Sequence, residues 1–130
     1  MVVEEIMTKD PFALKITDTI GTALRQLAEA DVRHLPVTEG GRLVGIISDR
    51  DLREIAPGGT PVDREAIGDS VASIMSSDVI SVNPETDIVE VIDLMIEHKI
   101  GAVPVVGPSD KLVGIVSYVD ALRVARAELE

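Results

Sequence analysis

The chain repeats itself, and the repeat limits its fold more than any other feature. Ile6-Met7 lies over Ile74-Met75 at an offset of 68 residues. At the same offset Asp10 lies over Asp78, Ile20 over Ile88, Leu24 over Ile92, and Pro36-Val37 over Pro104-Val105. One extra residue in the second copy, within Val106 to Lys111, raises the offset to 69. Leu43-Val44-Gly45-Ile46-Ile47-Ser48 then meets Leu112-Val113-Gly114-Ile115-Val116-Ser117, and Asp51 meets Asp120. A fixed period with a single one-residue shift marks a duplicated structural unit. A unit of about 55 residues buries too little apolar surface to be stable alone, so the copies are expected to pack together.

Each copy reads as strand, helix, strand, strand, helix. Ile20, Ala23, Leu24, Leu27 and Ala28 follow helical spacing, as do Ile88, Val91, Ile92, Met95 and Ile96. Leu35-Pro36-Val37 and Val103-Pro104-Val105-Val106 read as short strands with proline at the start or on an edge. Gly40-Gly41 predicts a tight hairpin, and Gly107-Pro108-Ser109-Asp110 a longer turn. Leu43 to Ile47 and Leu112 to Val116 read as apolar strands buried on both faces, with helices beginning at Ser48 and Ser117. The expected division is a first repeat over 1–57, a linker over 58–69 containing Gly58-Gly59-Thr60-Pro61, and a second repeat over 70–130. The fold class is α+β: two β-α-β-β-α repeats packed sheet to sheet.

Composition removes whole classes of function. With 12 Lys+Arg against 23 Asp+Glu the net charge is −11, the wrong sign for displacing counterions from nucleic acid. Phe12 and Tyr118 are the only aromatics, too few for a base-stacking platform. There is no cysteine for disulfides, thiolate chemistry or zinc. No apolar run nears the roughly 18 residues of a membrane span. Glu4 and Glu5 stand where a secretory leader carries basic residues, so a cytoplasmic location is expected. Neither repeat sets a histidine at a common place beside Ser48 or Ser117, so nucleophilic catalysis has no support. No acidic spacing resembles an oxygen-ligand metal loop, and no metal site is expected.

Chemistry concentrates where strand meets helix. Both copies carry Gly-apolar-apolar-Ser-x-x-Asp, from Gly45 to Asp51 and from Gly114 to Asp120. Its plain reading is a capping box, Ser as N-cap and Asp in the first turn. The same geometry suits a ligand: helix N–H groups favour a phosphate, a carboxylate accepts both hydroxyls of a ribose diol, and a glycine lets a planar base near the backbone. One carboxylate oxygen can cap while the other meets a ligand.

The strings IMTKD, RHLPV, GGRLVGIISDRDL, IMSSD, IGAVPV and KLVGIVSYVDAL resemble a tandem pair of CBS domains, the Bateman module, over Val2 to Arg123. The order is similar to bacterial CBS-pair proteins of the acetoin-utilisation type. The resemblance implies a regulatory module without catalysis that binds AMP, ADP, ATP or S-adenosylmethionine as a regulatory ligand and requires no cofactor. It implies one site of Asp120 and Ser117 with Pro11, Phe12 and Ala13, where Arg33 and His34 reach phosphates. The other joins Asp51 and Ser48 with Val79, Ile80 and Ser81, with Arg50 as its local charge. On that assignment the Asp120 site binds phosphorylated adenosine more tightly. The resemblance also implies a homodimer joined through helix faces, with Ala121, Leu122, Val124 and Ala125 at the seam, and an effector protein as partner; neither nucleic acid nor membrane is expected. The alternative is a dimerisation or docking module without a ligand, its motifs serving only as caps.

Overall fold

The computed structural model describes residues 1–30, 32–55 and 66–130. The described chain falls into two compact units whose limits differ from those of the repeat. A terminal unit comprises Met1–Pro11 with Ile80–Glu130, and a middle unit comprises Phe12–Val79. Each therefore contains most of one repeat and the opening segment of the other.

In the middle unit, β2 (Leu14–Lys15), α1 (Ile20–Ala30), β3 (His34–Glu39), β4 (Arg42–Ser48) and α2 (Asp49–Ile55) follow the expected order. The sheet order is β2-β3-β4, with β3 parallel to β2 and antiparallel to β4. Gly40 and Gly41, with φ of 59° and 82°, form the two-residue hairpin between Glu39 and Arg42. Both positions lie in the left-handed region where an L side chain is strained, so the Gly-Gly pair selects this turn. The core gathers Leu14, Ile20, Ala23, Leu27, Leu35, Val37, Ile47, Leu52 and Val71.

The terminal unit repeats the plan with α3 (Ile88–His98), β5 (Ala102–Val106), β6 (Leu112–Ser117) and α4 (Tyr118–Leu129). Its first strand shrinks to one parallel bridge, Val82 to Val105. A strand absent from the sequence reading, β1 (Thr8–Lys9), pairs antiparallel with β6 and makes the order β1-β6-β5. The core here is Val3, Val82, Ile88, Val91, Met95, Val103, Val105, Val116 and Ala121.

Three expectations need correction. On the helices, Ile20, Ala23 and Leu27, and Ile88, Val91 and Met95, are buried, but Ala28 is exposed and Ile96 is 70% exposed. At about 100° per residue the eighth position has rotated about 80° from the first, to the rim of the stripe. Strands β4 and β6 bury only Gly45 and Ile47, and Gly114 and Val116, while Val44, Ile46, Val113 and Ile115 on the other face are half-buried, because each strand pairs antiparallel with its hairpin partner and one face of such a pair need not be covered. Pro36 is buried inside β3, the middle strand of its sheet. It fits because Ile46 opposite it directs N–H and C=O away, to Ser76, at 3.0 and 2.9 Å; the pair is non-hydrogen-bonded and needs no proline donor.

The expected linker spans 58–69. Residues 58–65 of it, including Gly58-Gly59-Thr60-Pro61, lie outside the described residues. Ala66–Gly68 is a 3-10 turn, and its end is fastened to the start of α1: Ile20 N donates to Asp69 O at 3.0 Å and Ser70 Oγ to Ile16 O at 2.9 Å. The last part of the linker thus belongs to the packed body of the middle unit.

Candidate functional site

The two strand-to-helix corners have nearly the same internal geometry. In the first, Asp51 N donates to Ser48 Oγ at 3.0 Å and Ser48 N donates to Asp51 Oδ2 at 2.9 Å. In the second, Asp120 N donates to Ser117 Oγ at 3.3 Å and Ser117 N to Asp120 Oδ2 at 2.9 Å. Both are reciprocal capping boxes, each satisfying two otherwise orphaned N–H groups. Ser117 Oγ also donates to Asp120 Oδ2 at 3.0 Å, which holds its proton inside the box. All capping falls on Oδ2. Among the described residues Asp51 Oδ1 makes no hydrogen bond, and Asp120 Oδ1 has only Arg123 Nη1 at 4.0 Å. A carboxylate oxygen not used by the cap can accept two ligand hydroxyls without disturbing it.

What surrounds each corner differs. Across the β3–β4 ladder Ser48 is paired with His34, and Asp49 N donates to Arg33 O at 2.7 Å. Across β5–β6 Ser117 is paired with Ala102, and Tyr118 N donates to Gly101 O at 2.9 Å. The backbone is copied; the side chains are not. His34 therefore stands beside the Ser48–Asp51 corner of its own unit, whereas the resemblance assigns it to the Asp120 site. Burial pushes its imidazole below the ordinary value of 6.5, against the pull of Asp51 and, more weakly, Asp49, while Arg33 adds to the lowering. Arg33 and Arg50 are exposed.

That burial carries a pH dependence. Folded His34 holds its proton more weakly than the unfolded chain does, so between the two values the unfolded chain binds more protons and stability rises with pH. The folded state loses stability as pH falls below about 6.5. The melting temperature is expected to drop between about pH 7.5 and about pH 5.5, and His34→Gln to flatten the profile. An unchanged slope in the variant would assign the effect to other groups.

The remaining sequence candidates lie around the ends of the units. Pro11 closes the opening segment of the terminal unit and is half-buried; Phe12, 50% exposed, and half-buried Ala13 begin the middle unit. Val79 ends the middle unit half-buried, while Ile80, half-buried, and Ser81, exposed, resume the terminal one.

The glycine of the motif has a different role from the one expected. A Cβ on Gly45 would lie 2.5 Å from Met75 Sδ and 3.2 Å from Ser76 O. A Cβ on Gly114 would collide with Met7 Sδ and lie 3.1 Å from Thr8 O. A methionine thioether, not a planar base, takes the space above each glycine. Met7 and Met75 form the repeated Ile-Met pair, and the contact explains why that pair recurs in register with the glycine.

A family model for the CBS domain matches the chain twice, over residues 3–58 and 71–127. The chain belongs to the CBS-domain family. It is a tandem CBS pair. The crystal structure of a protein described as an acetoin utilization protein (AcuB) from Vibrio cholerae is 34% identical, with a TM-score of 0.85 over 99% of this chain and 93% of that one. A CBS-domain pair in complex with 5'-methylthioadenosine and S-adenosyl-L-methionine is 26% identical, with a TM-score of 0.85 over 98% of each chain. The protein CBSX2 in complex with AMP is 26% identical, with a TM-score of 0.82 over 99% of this chain and 98% of that one. A CBS domain-containing protein of Dictyostelium discoideum is 30% identical over all of this chain and 94% of its own. The match to inosine-5'-monophosphate dehydrogenase of Methanocaldococcus jannaschii is 27% identical over 92% of this chain but spans only 23% of that enzyme. CBS pairs thus occur both as small proteins and as parts of enzymes.

Proposed function

We propose that this CBS pair is a regulatory module that binds adenosyl compounds (AMP, ADP, ATP or S-adenosylmethionine) and passes its occupancy to an effector protein, with no catalysis of its own. The observation that carries the reading is the capped carboxylate, Asp51 or Asp120, with Oδ2 held by the chain and Oδ1 left to accept ribose hydroxyls. Related CBS pairs crystallised with AMP and with S-adenosyl-L-methionine support the ligand class. Pro11, Phe12 and Ala13, and Val79, Ile80 and Ser81, are the segments proposed to meet adenine; Ser48 and Ser117 adjoin the ribose, and Arg33 and Arg50, with His34 when protonated, supply positive charge. With a net charge of −11, attraction for a nucleotide phosphate must be local.

A thermal-shift panel of AMP, ADP, ATP, NAD and S-adenosylmethionine tests this. A bound ligand raises the melting temperature with concentration by mass action. Asp51→Ala and Asp120→Ala each remove one corner's response. Asp87→Ala, at the N-cap of α3 and outside the proposed site residues, supplies the contrast: losing an N-cap costs about 1 kcal/mol whether or not nucleotide is present. If no compound shifts the melting curve, the rival reading of a docking module without a ligand stands, with the motifs serving only as caps.

Homodimerisation belongs to the same proposal, and so does a cytoplasmic compartment. Among the described residues no helix is long and apolar enough to cross a membrane. Leu122 is 62% exposed on α4, beside Val119 and Leu129, whereas Ala121 turns into its own unit's core and is unavailable to a seam. Leu122→Glu is expected to shift the protein from dimer to monomer in sedimentation velocity, with its fold retained. A monomeric wild-type protein would remove the dimer from the proposal.

A further inference from the structure

We propose that His34 makes ligand choice at the Ser48–Asp51 corner proton-dependent, favouring phosphate-bearing adenosyl compounds over cationic S-adenosylmethionine once its imidazole is protonated. The inference rests on the binding function proposed above and adds a regulation specific to one corner.

The placement carries it. His34 is the cross-strand partner of the N-cap serine, and Asp49 N is bonded to the carbonyl of the residue before it, so the backbone of residue 34 is fixed beside the corner, within electrostatic reach of Asp51 and Asp49. Among the described residues, the charged groups acting on it are Asp51 and Asp49 from α2 and Arg33 from its own segment; the facing β4 residue is the uncharged Ser48. Asp49 is itself engaged by Arg53 at 2.9 Å, and Asp51 Oδ2 by the cap. Among the described residues no carboxylate makes a hydrogen bond to the imidazole, and burial weakens its hold on a proton in the free protein.

A phosphate brought to this corner adds negative charge beside a partly desolvated imidazole, which then takes a proton from bulk water. No other bond changes. Because binding takes up a proton, affinity rises as pH falls. A sulfonium brings positive charge and gives no such uptake. The second corner has Ala102 opposite its serine and Tyr118 where the first has Asp49, so it has no counterpart of this response.

The test follows the imidazole resonances of the full chain by NMR between about pH 5 and about pH 8. Samples are free, saturated with AMP, or saturated with S-adenosylmethionine. The chain has two histidines, and His98→Gln assigns them. AMP is expected to make His34 hold its proton about tenfold more tightly, and S-adenosylmethionine to leave it unmoved or weaken it. In parallel, the AMP dissociation constant should tighten several-fold on acidification in the wild type and clearly less in His34→Gln. If AMP shifts other resonances but leaves His34 titrating as in the free protein, the inference falls and the binding function stands. An equal upward move with S-adenosylmethionine also overturns it. If neither compound perturbs any resonance, the proposed function falls and takes the inference with it.

Discussion

Gly114→Val is expected to destabilise the protein by about 3 kcal/mol, the upper part of the range for forcing extra carbon into a packed site. A Cβ at this position already collides with Met7 Sδ and sits 3.1 Å from Thr8 O. The thioether can move, but Thr8 O is backbone, held where β1 pairs with β6 at Thr8–Ile115. Valine adds two methyl groups to a strand whose inward positions, Gly114 and Val116, are both buried. At roughly 3–5 °C per kcal/mol for a chain of this size, the melting temperature should fall by about 10 °C or more. The cause is separable by a double-mutant cycle with Gly114→Ala and Met7→Ala. If the sulfur is the main obstruction, alanine at 114 costs about 1 kcal/mol less when Met7 is already truncated. Strict additivity would show that the two residues do not share the space. Gly45 and Met75 offer the same experiment in the middle unit.

This contact also shows why part of the fold was hidden in the sequence. Features written in adjacent residues could be read directly. Gly40-Gly41 demanded a two-residue turn because both residues needed positive φ. Ser-x-x-Asp gave both capping boxes because the partners are three residues apart. The first-copy order of strand, helix, strand, strand and helix followed from the spacing of apolar residues. What stayed out of reach was long-range. Met7 lies 107 positions before Gly114, and nothing local says that a terminal Ile-Met segment will lie on β6. The repeat shows the Ile-Met pair and the glycine recurring together, but recurrence gives no contact map. The partition into units follows from such pairs, and so differs from the repeat boundaries.

The candidate corners divide in the same way. Ser48 with Asp51, and Ser117 with Asp120, were visible as motifs. That His34 stands against the first corner required the β3–β4 register, which the hairpin sets: Glu39 opposite Arg42 carries the ladder back, through a bulge at Val37/Thr38, to His34 opposite Ser48. Counting back from Gly40-Gly41 without that bulge misplaces the pairing by one residue. Asp49, which acts on the same imidazole, looked like an ordinary first-turn acid. The asymmetry between the corners is therefore a tertiary property, although both residues that differ, His34 and Ala102, stand in plain sight.

Asp51→Asn and Asp120→Asn are expected to separate the cap from the ligand, with the largest loss of affinity of any single-atom exchange at these corners. Asparagine keeps an acceptor for the N-cap N–H and ranks with aspartate as a residue that bonds local backbone, so the stability change should stay below about 1 kcal/mol. The replaced atom matters more to the ligand. If the amide oxygen takes the place of Oδ2 in the cap, an NH2 stands where Oδ1 faced the ribose, and a donor meets donors. If the amide is turned the other way, the cap loses its acceptor instead. Hydrogen bonds to a charged acceptor contribute roughly 1.5–3 kcal/mol each, so losing one weakens binding about 10- to 100-fold and losing two more than that. Calorimetry with AMP on each variant, alongside thermal melts without ligand, reads both quantities. A stable variant with much weaker binding is the expected pattern. A variant that melts early yet binds AMP with wild-type affinity would mean that the carboxylates serve their helices alone, since a group that grips ribose cannot lose its charge without cost to the complex.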